Sequence, residues 1–96
     1  MIETFGNRVA EALFFDRPSK ASEGFPPDVR RTARRKLLYL HDAADLADLR
    51  VPPGNRLERL KRRLVGYYSI RINDQWRIVF RWQSGQAFDV SVMDYH

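Results

Sequence analysis

Asp94-Tyr95-His96 brings an acid, a phenol and an imidazole to the end of a β-like run in this sequence. The neighbouring runs contribute Lys61, Arg71 and Arg77. Cations to hold a phosphate, with groups able to accept and donate a proton beside them, are what binding and cleaving a phosphodiester requires. The competing reading is a polar sheet face with a ragged end. The only other histidine, His41, falls near the C-terminus of a predicted helix, where a cationic imidazole is comfortable, and it receives no catalytic role.

Whatever positions these groups is small. Ninety-six residues make one domain with a single core, and 44% hydrophobic content with 12% aromatics is globular rather than disordered. No apolar run approaches the ~20 residues of a membrane span, and the first residues show no basic-then-apolar signal pattern. Cysteine is absent, which excludes disulfides and thiolate metal sites; two histidines are too few for a histidine-based metal centre. We therefore expect a cytoplasmic protein with no membrane association, no metal and no cofactor.

The net charge of +5 is concentrated. Residues 1–49 carry eight basic and eight acidic side chains, whereas residues 50–81 carry nine basic side chains against Glu58 and Asp74. Most of that excess is arginine, whose planar fork suits phosphate contact and base stacking better than lysine does. A clustered arginine surface is the electrostatic footprint of a nucleic-acid binder, although a merely solvated face shares it.

The chain order predicts an α+β domain. Residues 2–5 suit a short strand and residues 7–15 a short helix with Val9, Ala12 and Leu13 on one face. Residues 16–26, with Pro18, Gly24 and Pro26, predict a loop. A longer helix then opens on Pro27 and Asp28, with Val29, Ala33, Leu37 and Leu40 as its apolar stripe. Arg30, Arg31, Arg34 and Arg35 lie off that stripe, on a face that is solvated, turned to a partner, or turned to RNA. A second helical piece is expected over residues 43–49, and Val51-Pro52-Pro53-Gly54-Asn55 breaks the pattern.

After that breaker the period becomes two. Residues 57–61, 67–72, 76–82 and 88–93 read as four antiparallel strands. A three-residue turn at Asn73-Asp74-Gln75 pairs Ile72 with Trp76, Ile70 with Ile78 and Tyr68 with Phe80, keeping the even positions on one apolar face. The same alternation sets Phe80 against Val90 and Ile78 against Val92. On the other face it sets Arg71 against Arg77, Arg81 against Asp89, Lys61 beside Tyr67, and Tyr95 near Gln75 and Arg77. Directly opposed arginines repel, which predicts an anion such as phosphate between Arg71 and Arg77. Strict alternation also turns Asp94 and His96 away from Arg77, so the chain is expected to leave the pleat after about Met93.

Leu57-Glu58-Arg59-Leu60-Lys61, Gly66-Tyr67-Tyr68-Ser69-Ile70, Gln75-Trp76-Arg77-Ile78-Val79-Phe80 and Asp94-Tyr95-His96 together resemble the HigB toxins of bacterial toxin–antitoxin modules, in the RelE/ParE superfamily. Phe5, Arg35-Lys36-Leu37 and residues 49–57 extend the resemblance over nearly the whole chain. It implies a RelE-like, microbial-RNase type of antiparallel sheet of four to five strands, with N-terminal helices on one face. It also implies a ribosome-dependent endoribonuclease that cleaves mRNA in the A site and inhibits translation. The implied partners are the ribosome with its mRNA, a HigA-type helix-turn-helix antitoxin, and operator DNA only through the antitoxin complex.

By the same resemblance the active-site lysine is Lys61, the arginine Arg77, and the acidic, tyrosine and histidine residues Asp94, Tyr95 and His96. His96 would transfer protons, oriented or kept protonated by Asp94, since imidazole has an unperturbed pKa near neutrality. Lys61 and Arg77 would clamp the scissile phosphate, and Tyr95 would stack on a base or share the acid–base work. Arg59, Arg62, Arg63 and Arg71 would contact phosphates with Tyr67 on their face, and Gln75 fits the amide position before the tryptophan. Two departures stand out: Arg62-Arg63 replaces a common Gly-Asp after the lysine, and Glu58 stands where some members have histidine, so Glu58 receives no role. The alternatives are a ParE-like gyrase inhibitor, which needs no acid–base trio, and a non-catalytic nucleic-acid-binding module.

Overall fold

Asn7 starts the first helix and ties it to the sheet. In the computed structural model, which describes residues 1–94, helix α1 spans Arg8–Phe14, and the Asn7 Oδ1 atom caps it by accepting from the Ala10 N–H at 3.1 Å. The same amide donates to the Val92 carbonyl at 3.0 Å and accepts from the Val92 N–H at 3.3 Å, so one side chain fixes helix to strand. The expected loop over residues 16–26 contains a one-turn helix, α2 (Lys20–Glu23), started by the Ser19 hydroxyl, which accepts from the Ser22 N–H at 3.1 Å. Proline and glycine mark its two ends rather than abolishing it.

Helix α3 (Pro27–Asp42) begins on Pro27 as expected and buries Ala33, Leu37 and Leu40. It also buries Lys36, which sits inside the stripe rather than outside it. The piece expected over 43–49 is a 3-10 helix, Leu46–Arg50, with a reciprocal cap between Asp45 and Asp48.

Four antiparallel strands follow in the order β1-β2-β3-β4: β1 (Glu58–Arg59), β2 (Tyr67–Arg71), β3 (Trp76–Gln83) and β4 (Gln86–Asp94). The β2–β3 register is the expected one, with Tyr68 opposite Phe80 and Ile70 opposite Ile78. It is set by Asn73, whose Oδ1 accepts from both Gln75 N–H (2.9 Å) and Trp76 N–H (2.8 Å), closing the three-residue turn. Ile70, Ile78 and Phe80 are fully buried against Leu37 and Leu40 of α3. The helices cover this even face.

Three expectations about the strands are corrected. Residues 2–5 form no strand of the sheet, only isolated parallel bridges from Ile2 to Ala87 and from Phe5 to Val90. The strand over 57–61 shrinks to two residues, with the Leu60 N–H meeting the Tyr67 carbonyl at 2.9 Å, so Leu60 rather than Lys61 lies beside Tyr67. Between β3 and β4 the pairing shifts by one residue: Val79 opposes Ser91, but Arg81 opposes Phe88 instead of Asp89. The extra residue is Asp89, at φ 53°, a left-handed conformation that aspartate tolerates better than most side chains. Beyond this bulge the faces exchange. Ala87 enters the core and Phe88 crosses to the polar side, where the Arg81 guanidinium carbon lies 5.7 Å from its ring centroid.

Candidate active site

Arg77 lies on the odd face near the start of β3, with Arg71 opposite on β2 and Met93 opposite on β4. It is 6% exposed, and its guanidinium is held from three directions. Its Nε donates to the fully buried Ser69 hydroxyl at 2.8 Å, and an Nη2 N–H donates to the Arg56 carbonyl at 2.7 Å. Its Nη1 stands 3.8 Å from a Glu58 carboxylate oxygen. A buried guanidinium is tolerated only when its fork is satisfied, and the rigid fork fixes the direction of the whole side chain.

Arg71 and Arg77, opposite each other across β2 and β3, each have protein partners. Arg71 turns outward to pair with Asp74 across the tight turn, whereas Arg77 turns inward to Ser69 and Arg56. Each guanidinium has its own partner within the protein. A third cation lies close by. Lys36 reaches from α3 to donate to the Asn55 amide oxygen at 2.7 Å. Burial lowers its pKa below the usual lysine value, and the charges of Arg35, Arg71 and Arg77 lower it further.

Glu58 is the residue that the sequence left without a role. It sits in β1 directly opposite Ser69, which places its carboxylate on the Arg77 face, about half exposed. The signal that would have found it is the β1–β2 register, and a two-residue strand offers no periodicity from which to read one.

The other expected residues fall into separate groups. Lys61 lies just past β1, exposed, at the start of the 3-10 turn Arg62–Leu64, and Arg62 and Arg63 are exposed with it. Glu58, Leu60, Lys61 and Leu64 line an open depression of about 350 Å³ at this sheet edge. Arg59 points to the other face, its guanidinium carbon 5.9 Å from the Tyr68 ring centroid, and so is not brought to Arg77. Tyr67 is on the Arg77 face but toward the far end of the strand. There its hydroxyl approaches Asp89 Oδ2 (3.4 Å), the oxygen that also accepts from Arg81 Nε (2.8 Å). At the opposite sheet edge Gln75 Nε2 donates to Asp94 Oδ2 at 3.1 Å, and Asp94 opposes Trp76, one pair from Arg77. Tyr95 and His96 lie outside the described residues.

Two groups are structural or lie elsewhere. His41 accepts the Ile2 backbone N–H on Nδ1 at 3.1 Å and packs 5.1 Å from the Phe14 ring, a tertiary clasp for the N-terminal segment. Arg30, Arg31, Arg34 and Arg35 border an open cleft of about 620 Å³ between α1, α2 and α3, with Leu13 and Leu38 in its wall. Among the described residues no helix is long and apolar enough to cross a membrane.

Helices cover one face of a four-stranded antiparallel sheet, and Arg71, Arg77 and Arg81 lie on the other, in a small α+β fold. The architecture superimposes on "YoeB-YefM complex from Staphylococcus aureus" with a TM-score of 0.63, over 100% of this chain and 98% of that one, at 19% identity. Residues 4–96 match the family described as RelE-like toxin of type II toxin-antitoxin system HigB, and the chain belongs to that family. It is 42% identical over 71 residues, 74% of each sequence, to "Toxin HigB-1" of Vibrio cholerae serotype O1. It is 28% identical to "Endoribonuclease HigB" of Proteus vulgaris over 100 residues, spanning both sequences fully.

Proposed function

We propose that this toxin is an endoribonuclease that cleaves mRNA in the ribosomal A site and is neutralised by a HigA-type helix-turn-helix antitoxin. Family membership and the name of the Proteus vulgaris relative support the chemistry, and the family itself supports an antitoxin partner. The observation that carries the reading is Arg77, anchored on Ser69 and Arg56 beside a half-exposed carboxylate.

In the reaction the ribose 2′ oxygen bonds to the adjacent phosphorus and the bond from phosphorus to the 5′ oxygen breaks. The 2′ proton goes to a base, and an acid protonates the departing oxygen. Arg77 stabilises the extra negative charge of the phosphorane, and because it is already oriented it contributes without reorganising. Glu58, beside Arg77, accepts the 2′ proton. His96 donates to the leaving oxygen, since His41 is committed to the Ile2 N–H and no other side chain has an unperturbed pKa near neutrality. Asp94 orients His96, Tyr95 stacks on the splayed base, and Lys61, Arg62, Arg63 and Arg71 guide the backbone by its phosphates. Gln75 holds Asp94, Tyr67 lies along the RNA path, and the reaction proceeds without a metal.

The test is 5′-end mapping of a defined mRNA on programmed ribosomes, with chelator present. New ends at the A-site codon are expected for the wild type, with strong loss for Arg77→Ala, Lys61→Ala and His96→Ala. Wild-type activity of both the Lys61 and His96 variants overturns the assigned site. Inhibition of gyrase supercoiling without RNA cleavage overturns the reaction itself.

A further inference from the structure

We propose that Lys36 and Asn55 form a buried positioning device for Arg77, acting through the carbonyl of Arg56; the inference rests on the reading of Arg77 as the phosphate-binding arginine.

Arg77 donates to a backbone carbonyl, so its placement depends on how that peptide is held. Arg56 lies at φ 46°, ψ 59°, a left-handed conformation rarely adopted by a side chain of this size, and its own side chain is exposed. What keeps the carbonyl aimed is the preceding residue. Asn55 is 0% exposed in a loop otherwise on the surface. Its amide donates to the carbonyls of Leu49 (3.2 Å) and Val51 (3.4 Å) and accepts from Lys36 Nζ (2.7 Å). Backbone bonds from Asn55 N–H to Pro52 (3.0 Å) and from Arg56 N–H to Pro53 (3.1 Å) complete the turn.

The chain of contacts therefore runs from α3 through Lys36 and Asn55 to the Arg56 peptide and on to the guanidinium. Nothing in loop stability alone requires a lysine here. An uncharged donor would satisfy the Asn55 oxygen without burying an ammonium near the guanidiniums of Arg35, Arg71 and Arg77, an arrangement that costs stability. Lys36 is long enough to cross from the helix layer to the loop, and so couples the rigid core to the site. The sequence does carry the signal: Lys36 follows Ala33 by three residues, within the apolar stripe.

Two readouts test this in Asn55→Ala and in Lys36→Met, which keeps most of the aliphatic volume. The first is NMR of the Arg77 Nη2–H group that donates to the Arg56 carbonyl, assigned by its disappearance in Arg77→Lys. Exchange with water should quicken by roughly tenfold or more in both variants, as expected for an opened hydrogen-bonded group. The second is ribosome-dependent cleavage. Here kcat should fall ~10–100-fold with KM nearly unchanged, the scale of a misplaced catalytic group. In the Arg77→Lys background the same changes should have less than about a threefold further effect, because the device then has nothing to position. Unchanged Arg77 exchange in the folded variants overturns the proposal, as do losses that multiply fully with Arg77→Lys. Should Asn55→Ala not fold, Lys36→Met decides both readouts. A wild type that cleaves no RNA removes the functional reading, while the exchange measurement still judges the positioning device.

Discussion

Glu58→Gln separates a structural carboxylate from a chemical one, because the two roles predict effects of different size. The Glu58 carboxylate lies 3.8 Å from the Arg77 Nη1, with side-chain exposures of 47% and 7%. At an effective dielectric of ~20 the bare attraction at that distance is about 4 kcal/mol. Half of the glutamate faces water, however, and measured pairs of that exposure are worth ~1 kcal/mol or less. Arg77 also keeps Ser69 and Arg56 when Glu58 is neutralised, so no buried cation is abandoned. The expected loss of stability is therefore at most ~1 kcal/mol, which for a domain of this size lowers Tm by about 4–8 °C. If Glu58 takes the 2′ proton, its removal costs ~100–10,000-fold in rate, the usual contribution of a general base.

The assay is single-turnover cleavage of mRNA on programmed ribosomes, beside thermal unfolding followed by circular dichroism. A large rate loss with Tm within about 8 °C of the wild type supports Glu58 as the acceptor. A rate within threefold of the wild type refutes it. A Tm drop of well over ~10 °C refutes the assumption that the pair is weak, and assigns Glu58 to holding the site together.

Lys36→Met gives a pH signature whose sign follows from the lowered pKa of the amine. Because the folded state holds that proton less tightly than the unfolded chain does, the charged amine destabilises the fold below its folded pKa. The penalty is relieved as pH rises from there toward the unfolded value near 10.5. The Tm of the wild type minus that of Lys36→Met should thus become more positive between neutral pH and pH ~10.5, and a flat difference would show that Lys36 carries no such penalty. Gly6→Ala should lower stability by ~1–3 kcal/mol, the range for overpacking. Its Cβ would lie 2.3 Å from Ser91 Oγ and 2.8 Å from the Asp89 carbonyl oxygen. Adding Ser91→Ala should not restore the Tm, because the Asp89 contact is backbone; full rescue would place the clash in the hydroxyl alone. Arg62→Ala and Arg63→Ala, both exposed, should each reduce the salt slope of RNA binding by ~0.7 without changing the single-turnover rate at saturation. An unchanged slope would take these arginines off the RNA path.

The β2–β3 hairpin was legible in the sequence because two independent signals agreed there. The even positions of both strands are apolar, and Asn73 supplies the turn that keeps even opposite even. The β3–β4 register was not legible for the same reason that it looked easy. Residues 88–93 alternate without a visible break, yet Asp89 is an extra residue, and Phe88 is an apolar side chain placed on the polar face over Arg81. Periodicity reports which positions are apolar, not where the chain inserts a residue. For the site, the resemblance assigned Arg77 its role, and alternation made its place on the odd face legible. Its burial was not legible, because Ser69 and the Arg56 carbonyl come from other segments. Leu60 rather than Lys61 lies beside Tyr67, and β1 is too short for alternation to show it.

That short strand also explains how the site is held. β1 carries Glu58, yet only Glu58 and Arg59 belong to it, and Arg56 before it and Arg62 after it both have positive φ, at 46° and 61°. Left-handed backbone costs roughly 1–2 kcal/mol at a residue other than glycine, so the segment is not in its preferred local conformation. The neighbours impose it: Asn55 and Lys36 on one side, and the Leu60–Tyr67 backbone bond on the other. A freely relaxing segment would lose the peptide orientation that meets Arg77, and with it the register that sets Glu58 opposite Ser69. The cost in local stability is thus coupled to the placement of a cation and a carboxylate 3.8 Å apart. Substitutions that relax the bracket are expected to act on Arg77 and Glu58 together rather than on either alone.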